Sequence, residues 1–236
     1  LGAELGDVQR SVFVLYALTS LAVLAMYLPL KVAPRPPQAV QGLGESRGIV
    51  LRLAALFSID SFGGGFVVQS LLALWLFQRF DLSVEAAGTV FFVAGLLSAG
   101  SQLVSPVLAR RIGLVRTMVY THLPANAALI AAAFMPTAPL AIGFLLVRMA
   151  LSQMDVPARQ SYVMAVVPPE ARAAAASVTN VPRSLASAAS PLLAGAMLGA
   201  STIGWPLIAG GGLKALYDIL LLRQFGSVRP SEESAG

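Results

Sequence analysis

Residues 139–198 read PLAIGFLLVRMALSQMDVPARQSYVMAVVPPEARAAAASVTNVPRSLASAASPLLAGAML, two long apolar segments joined by a short hinge that carries charge and proline. Arg148 and Asp155 interrupt the first segment, and Arg183 interrupts the second. At the centre of a bilayer a charged side chain costs at least about 2.5–3.5 kcal/mol on insertion scales, so such a group turns toward protein or water rather than lipid. Segments that carry such groups line a pathway more often than they fill a core. The rest of the chain reads as the support of this stretch.

Composition agrees. Of the 236 residues 57% are hydrophobic and only 11% charged, with a mean hydropathy of +0.78. Soluble domains carry about 25% charged residues, so the pattern is that of an all-α polytopic membrane protein. The chain has no cysteine and one histidine, His122. A disulfide framework, a thiolate metal site and a multi-histidine metal cluster are thereby excluded. The net charge of +5 does not indicate nucleic acid, because the basic residues lie between apolar segments. No Gly-x-Ser-x-Gly motif and no ATP-binding loop is found, so neither an enzyme nor an ATP-driven pump is expected, and no cofactor.

A bilayer core needs roughly 20 helical residues to cross. Seven segments meet that length: 11–30, 50–77, 86–109, 114–135, 139–165, 171–198 and 202–222. The first is too long and too uniform for a signal-peptide core. The opening LGAELGDVQR forms no recognisable start, so the sequence reads as part of a longer protein. Lys31, Arg35, Arg47, Arg52, Arg110, Arg111, Arg116, Arg159, Arg172, Arg223 and Arg229 all fall on one side of this arrangement. Arg10 and Arg79 fall on the other. By the positive-inside rule the N-terminus lies outside and the C-terminus in the cytoplasm of a cell-membrane protein. The domains expected are a transmembrane helix over 1–31, a cytoplasmic linker over 32–47, a six-helix bundle over 48–223 and a cytoplasmic tail over 224–236. The linker assignment rests on the Pro and Gly content of VAPRPPQAVQGLGESR.

Within the bundle, SPVLA at 105–109 and SPLLA at 190–194 occupy matching places in two successive groups of three spans. Two triplets of opposite orientation are the mark of an inverted repeat.

Several residues carry candidate chemistry. Arg148 and Asp155, seven apart, project from nearly the same face of a continuous helix, about 10 Å apart along its axis. Asp155 also precedes Arg159 by four, the favoured order for a helical ion pair. Pro157 frees the Gln153 carbonyl and kinks the helix. These groups read either as a substrate- or proton-responsive site or as a fixed ion pair at one end of the helix. In the next segment Asn180, Arg183, Ser187 and Ser190 form one polar stripe, which faces a bundle interior. Asp60 is followed by SFGGGF, whose glycines would give a thin helix wall beside a cavity that Gln69 lines. Asp60 either titrates or pairs with an arginine of another span. Gln102, His122 and Asn126 read as single packing groups. Lys214 and Asp218 form an i,i+4 pair, with the lysine snorkelling.

The block 47–223 resembles the C-terminal six-helix half of a major facilitator superfamily (MFS) transporter, and 11–30 resembles the helix before its central loop. The resemblance rests on ARRIGLVR at 109–116, MDVPARQSYVMAVVPPEARAAAASVTNVPRS at 154–184 and ASPLLAG at 189–195. In the first, Arg111 and Gly113 match the family's short basic loop, while Arg110 stands where an acid is usual. The resemblance implies secondary transport of a small organic solute by alternating access, with proton-coupled efflux one form of it. The alternative is a module that works only by assembling with another chain. The resemblance places Asp60, Arg148, Asp155 and Arg183 near the substrate or proton pathway, and Gln69 and Asn180 join them from the cavity-lining and polar-stripe readings. Arg110, Arg111, Gly113 and Arg159 become the conformational switch. Expected partners are the lipid bilayer, a small-molecule substrate, protons, and the missing N-terminal half or a second chain, with no nucleic acid.

Overall fold

Proline and glycine decide where the helices break. The computed structural model describes residues 5–29 and 42–226 and contains no strand among them. Nine α-helices occur among those residues: α1 (Leu5–Tyr27), α2 (Arg47–Gly65), α3 (Gln69–Phe80), α4 (Val84–Ile112), α5 (Leu114–Ala133), α6 (Ala138–Ser152), α7 (Asp155–Ala165), α8 (Arg172–Ala200) and α9 (Trp205–Phe225). Most of the linker expected over 32–47 and of the tail expected over 224–236 lies outside the described residues.

α1 belongs to a unit of its own, residues 1–39. It is mostly apolar beyond Arg10, and Thr19 and Ser20 donate their hydroxyls back to the Tyr16 carbonyl, each at 2.8 Å. Such local bonds satisfy the hydroxyls within the helix itself.

The second unit, from residue 40 onward, holds the other eight helices. Two of the expected spans are interrupted. α2 ends at Gly65 and α3 starts at Gln69, so one crossing is a broken pair. α6 ends at Ser152 with Gln153 as its C-cap, and α7 starts at Asp155. Pro157 accounts for the second break, since its missing N–H leaves the Gln153 carbonyl without an intrahelical donor. Each pair forms one column, giving six columns joined by short turns. Gly113, at φ +88°, makes the single-residue turn between α4 and α5, and Gly204, at φ +79°, precedes α9. Both adopt the left-handed region that side chains disfavour. A Cβ on Gly204 would also lie 2.9 Å from the Trp75 indole nitrogen.

Short turns make successive columns antiparallel. The first three columns therefore run opposite to the last three, and the packing follows a two-fold exchange. α2 packs on α8 as α6 packs on α4; α2 packs on α9 as α6 packs on α5; and α5 packs on α9 across the centre. The two SPxLA segments take equivalent places. Ser105 donates to the Met154 carbonyl at the α6–α7 break, and Ser190 lies against Gly65 at the α2–α3 break.

Among the described residues five stretches are long and apolar enough to cross a membrane: Arg10–Tyr27, Gly44–Phe80, Val84–Ile112, Ala138–Ala165 and Trp205–Phe225. α5 and α8 are long enough but fall outside this set; α5 carries Arg116, His122 and Asn126, and α8 carries Arg172, Asn180 and Arg183. The architecture is an all-α, polytopic membrane fold.

Two apolar layers fill the second unit. One, built around Leu53, Phe57, Met118, Tyr162, Tyr217 and Leu221, lies toward the ends that carry the basic turns. The other, around Trp75, Leu76, Leu129, Leu145 and Leu207, lies toward the opposite ends. On α2, α5 and α9 the polar residues fall between the two, so the bundle has a buried polar layer with an apolar layer on either side.

Candidate functional site

Asp60 sits in that polar layer, 4% exposed, at the position where α2 passes both α8 and α9. One of its carboxylate oxygens accepts from Lys214 Nζ at 2.6 Å; the other accepts from Arg159 Nη1 at 2.9 Å. The first oxygen also lies 3.8 Å from His122 Nε2. Arg159 uses its second terminal nitrogen on Asp155, 3.2 Å away, so one guanidinium joins carboxylates of α2 and α7. Its central carbon lies over the Phe57 ring, 5.4 Å from the centroid. His122 Nδ1 and Asp218 Oδ1 are 2.9 Å apart, and Asn126 donates to the other Asp218 oxygen at 2.9 Å. The result is a continuous chain of contacts, Asp155–Arg159–Asp60–His122–Asp218–Asn126, with Lys214 bound at Asp60.

Close helix approach makes this network possible. A Cβ on Gly210 would fall 2.8 Å from the Gly63 carbonyl oxygen, and one on Gly63 would fall 3.0 Å from both the Gly210 oxygen and Lys214 Cγ. α2 and α9 therefore touch backbone to backbone, which brings the lysine within reach of Asp60. The glycines of SFGGGF were expected to thin a helix wall beside a cavity. Gly63 and Gly65 instead serve helix contact, Gly63 with α9 and Gly65 with α8.

Of the candidate residues, the network unites Asp60, Asp155 and Arg159. The second of the two readings of Asp60 is the one seen: it pairs with an arginine of another span. The i,i+4 pair of Asp155 and Arg159 forms as expected, but the shared helical face of Arg148 and Asp155 does not, because the break at Gln153–Met154 separates their helices. Arg148 is 8% exposed and lines a cavity of roughly 210 Å³ between the α2–α3 break, α4 and α6. Gln69 lines that cavity too, as expected, and so does Gln153. Asn180 and Arg183 line a second cavity of roughly 320 Å³, together with Arg159. Arg183 is only half-buried there; its Nε donates to Ser61 Oγ at 2.9 Å, and Nη1 reaches Asn180 Oδ1 at 3.4 Å. The polar stripe of α8 is thus split, with Ser190 fully buried against α2, Ser187 partly buried and Asn180 exposed.

Arg110 and Arg111 are exposed at the end of α4, beside the Gly113 turn, and no carboxylate pairs with either among the described residues. Arg159 lies apart from them, in the buried network.

Sequence reasoning missed four of the seven residues of the network. His122 and Asn126 were expected to be isolated packing groups, and Lys214 and Asp218 were expected to pair with one another. Lys214 instead binds Asp60, and Asp218 binds the two α5 residues. One signal was available: His122 and Asn126 are four apart, as are Lys214 and Asp218, so each pair marks one polar face on an apolar helix. Gln102, by contrast, is exposed.

Comparison with known proteins agrees with this architecture. The sequence profile of the Major Facilitator Superfamily matches residues 1–191. The chain is also 27% identical over 185 residues to an uncharacterized membrane protein of Saccharomyces cerevisiae, an alignment that covers 77% of this chain and 41% of that protein. The chain thus spans about two fifths of the length of that relative. A multi-pass helical fold, a buried polar layer between apolar layers and a family profile over most of the sequence agree, and the chain belongs to the Major Facilitator Superfamily, a family of membrane transport proteins.

Proposed function

We propose that this chain forms part of a secondary active transporter that moves a small organic solute by alternating access, with export coupled to protons. The observation that carries the reading is His122, 3% exposed, held between the carboxylates of Asp60 and Asp218. An imidazole is the side chain best suited to gain and lose a proton near neutral pH. Here each change of charge acts on two carboxylates, one on α2 and one on α9. Asp60 passes the change on through Arg159 to α7, beside the α6–α7 break. A proton that arrives or leaves would therefore alter the contacts among three helices at a point where one of them is already interrupted. In this reading the pathway includes Asp60, Gln69, Arg148, Asp155, Asn180 and Arg183, and the Gly113 turn with Arg110 and Arg111 takes part in the conformational change.

The membrane is the cell membrane, with the N-terminus outside and the basic turns in the cytoplasm; the positions of Lys and Arg support this orientation. The other cavity wall comes from a further half of the protein or from a second chain.

Reconstitution into proteoliposomes tests the reading. Solutes are screened by counterflow, and those that exchange are then driven by an imposed pH gradient. The wild type should accumulate them against their gradient, whereas His122→Gln should still exchange them but no longer respond to the pH difference. Gradient-driven accumulation by His122→Gln at the wild-type level would refute the coupling role. Absence of counterflow for every organic solute, from protein that is correctly inserted, would refute transport.

A further inference from the structure

Arg148 is the cation that the buried network leaves over. Asp60 is engaged by Lys214 and Arg159, Asp155 by Arg159, and Asp218 by His122 and Asn126. No carboxylate pairs with Arg148 among the described residues. Its Nη1 donates to the Met149 sulfur at 3.0 Å, a weak acceptor, and its Nε is buried without a hydrogen-bond partner. Asp60 acts on Arg148 only from beyond ion-pair distance; a buried charge without an ion-pair partner is unfavourable, and one kept inside a membrane segment marks a functional site. Arg183 is different, being half-buried and bonded to Ser61.

The cavity at Arg148 has a definite chemical character. Its polar lining comes from Arg148, Gln69 and Gln153, and the remainder is apolar, including Val67, Phe91 and Leu145. A guanidinium presents its N–H donors as a planar fork that matches a carboxylate in two parallel bonds. One cation suits one negative charge, and the apolar remainder suits a hydrocarbon body rather than a sugar.

We infer that this cavity binds a small monocarboxylate, its carboxylate on Arg148, its polar edge near the Gln69 and Gln153 amides and its body against Phe91 and Leu145. The inference rests on the transport reading only in taking the bound molecule as cargo; the binding site stands on its own geometry.

The test titrates the purified full chain in detergent with benzoate, with its uncharged analogue benzamide, and with inorganic phosphate. Benzoate should bind; benzamide should bind at least about tenfold more weakly, the difference expected when a charge-assisted bidentate pair is lost, and phosphate, which can take the fork but offers no hydrocarbon body to the apolar wall, should also bind at least about tenfold more weakly. Arg148→Gln should weaken benzoate by at least about the same factor, and Arg148→Lys by less, since it keeps the charge but not the fork. Ala94→Leu, which fills the cavity and leaves Arg148 in place, should also lose benzoate, so the site remains testable if the arginine variants do not fold. Equal affinity for benzoate and benzamide, or wild-type benzoate affinity in Arg148→Gln or Ala94→Leu, overturns the inference, as does tighter binding of phosphate than of benzoate. Flux of radiolabelled benzoate in proteoliposomes separates the two readings. Arg148-dependent binding without flux supports the site and contradicts its use for cargo, whereas flux of neutral solutes with no binding of carboxylate leaves transport standing and overturns the site.

Discussion

Arg148 and Arg159 are both buried arginines, 8% and 6% exposed, and their removal should have effects of opposite sign. Arg159→Met takes the cation away from two carboxylates at once. Asp155 then has no cation at ion-pair distance, and Asp60 keeps only Lys214 as a permanently charged ion-pair partner. Stranding one member of a buried ion pair costs about 3–5 kcal/mol, and loss of the stacking over Phe57 adds about 0.5–2 kcal/mol. For a chain of this size such a loss lowers the melting temperature by on the order of 10 °C. Arg148→Met removes a charge that has no carboxylate partner and puts an apolar side chain in its place. It should be neutral or stabilising, by up to about 2 kcal/mol. The measurement is thermal unfolding of both variants in the same detergent, followed by tryptophan fluorescence. A second variant checks the cause: Arg159→Met combined with Asp155→Leu removes the stranded carboxylate and should regain about 1–2 kcal/mol of the loss. If the two arginine variants melt together, or if the double variant shows simple additivity, the pairing scheme is wrong.

Two further outcomes follow from the same packing. Gly65→Ala should destabilise by about 1–3 kcal/mol, because its Cβ would meet Ser190 Oγ and lie 2.8 Å from the Ser187 carbonyl oxygen, which is backbone and cannot swing away; Gly95→Ala, with nothing within 4 Å, should change the melting temperature little, and similar losses in both would refute the close-contact account. His122→Leu removes a partner from Asp218, which keeps only Asn126, and should cost about 1–3 kcal/mol; adding Asp218→Leu should return part of it, and a double variant less stable than the sum of the two single ones would show that the two side chains do not act as a pair.

Much of the architecture follows from local physics and was therefore readable along the chain. Segment lengths near 20 apolar residues specify helices that cross a bilayer, and short turns specify that neighbours alternate in direction. Pro157 specified the break before α7, because a residue without an N–H frees one particular carbonyl wherever the helix lies. The ion pair of Asp155 with Arg159 was legible for the same reason, since four residues on a helix bring two side chains together without help from any other element. The SPxLA repeat pointed to equivalent places in two triplets, and the serines do occupy equivalent places, each at the break in the other triplet's first column.

The partners of the remaining charges belong to the tertiary structure. Helical periodicity states which side chains share a face but not which helix that face will meet. Lys214 and Asp218 share a face and look like a pair, yet each bonds to a different neighbour. The lysine reaches Asp60 because Gly63 and Gly210 let two backbones touch, and each glycine has that effect only when the other lies opposite it. Arg148 and Arg159 belong to one expected span, 139–165, Arg148 in an apolar run and Arg159 among polar neighbours, and neither setting states what the side chain meets. One stands beside two carboxylates and the other beside a cavity, because the energy of a buried charge depends on what comes within a few ångströms of it in space.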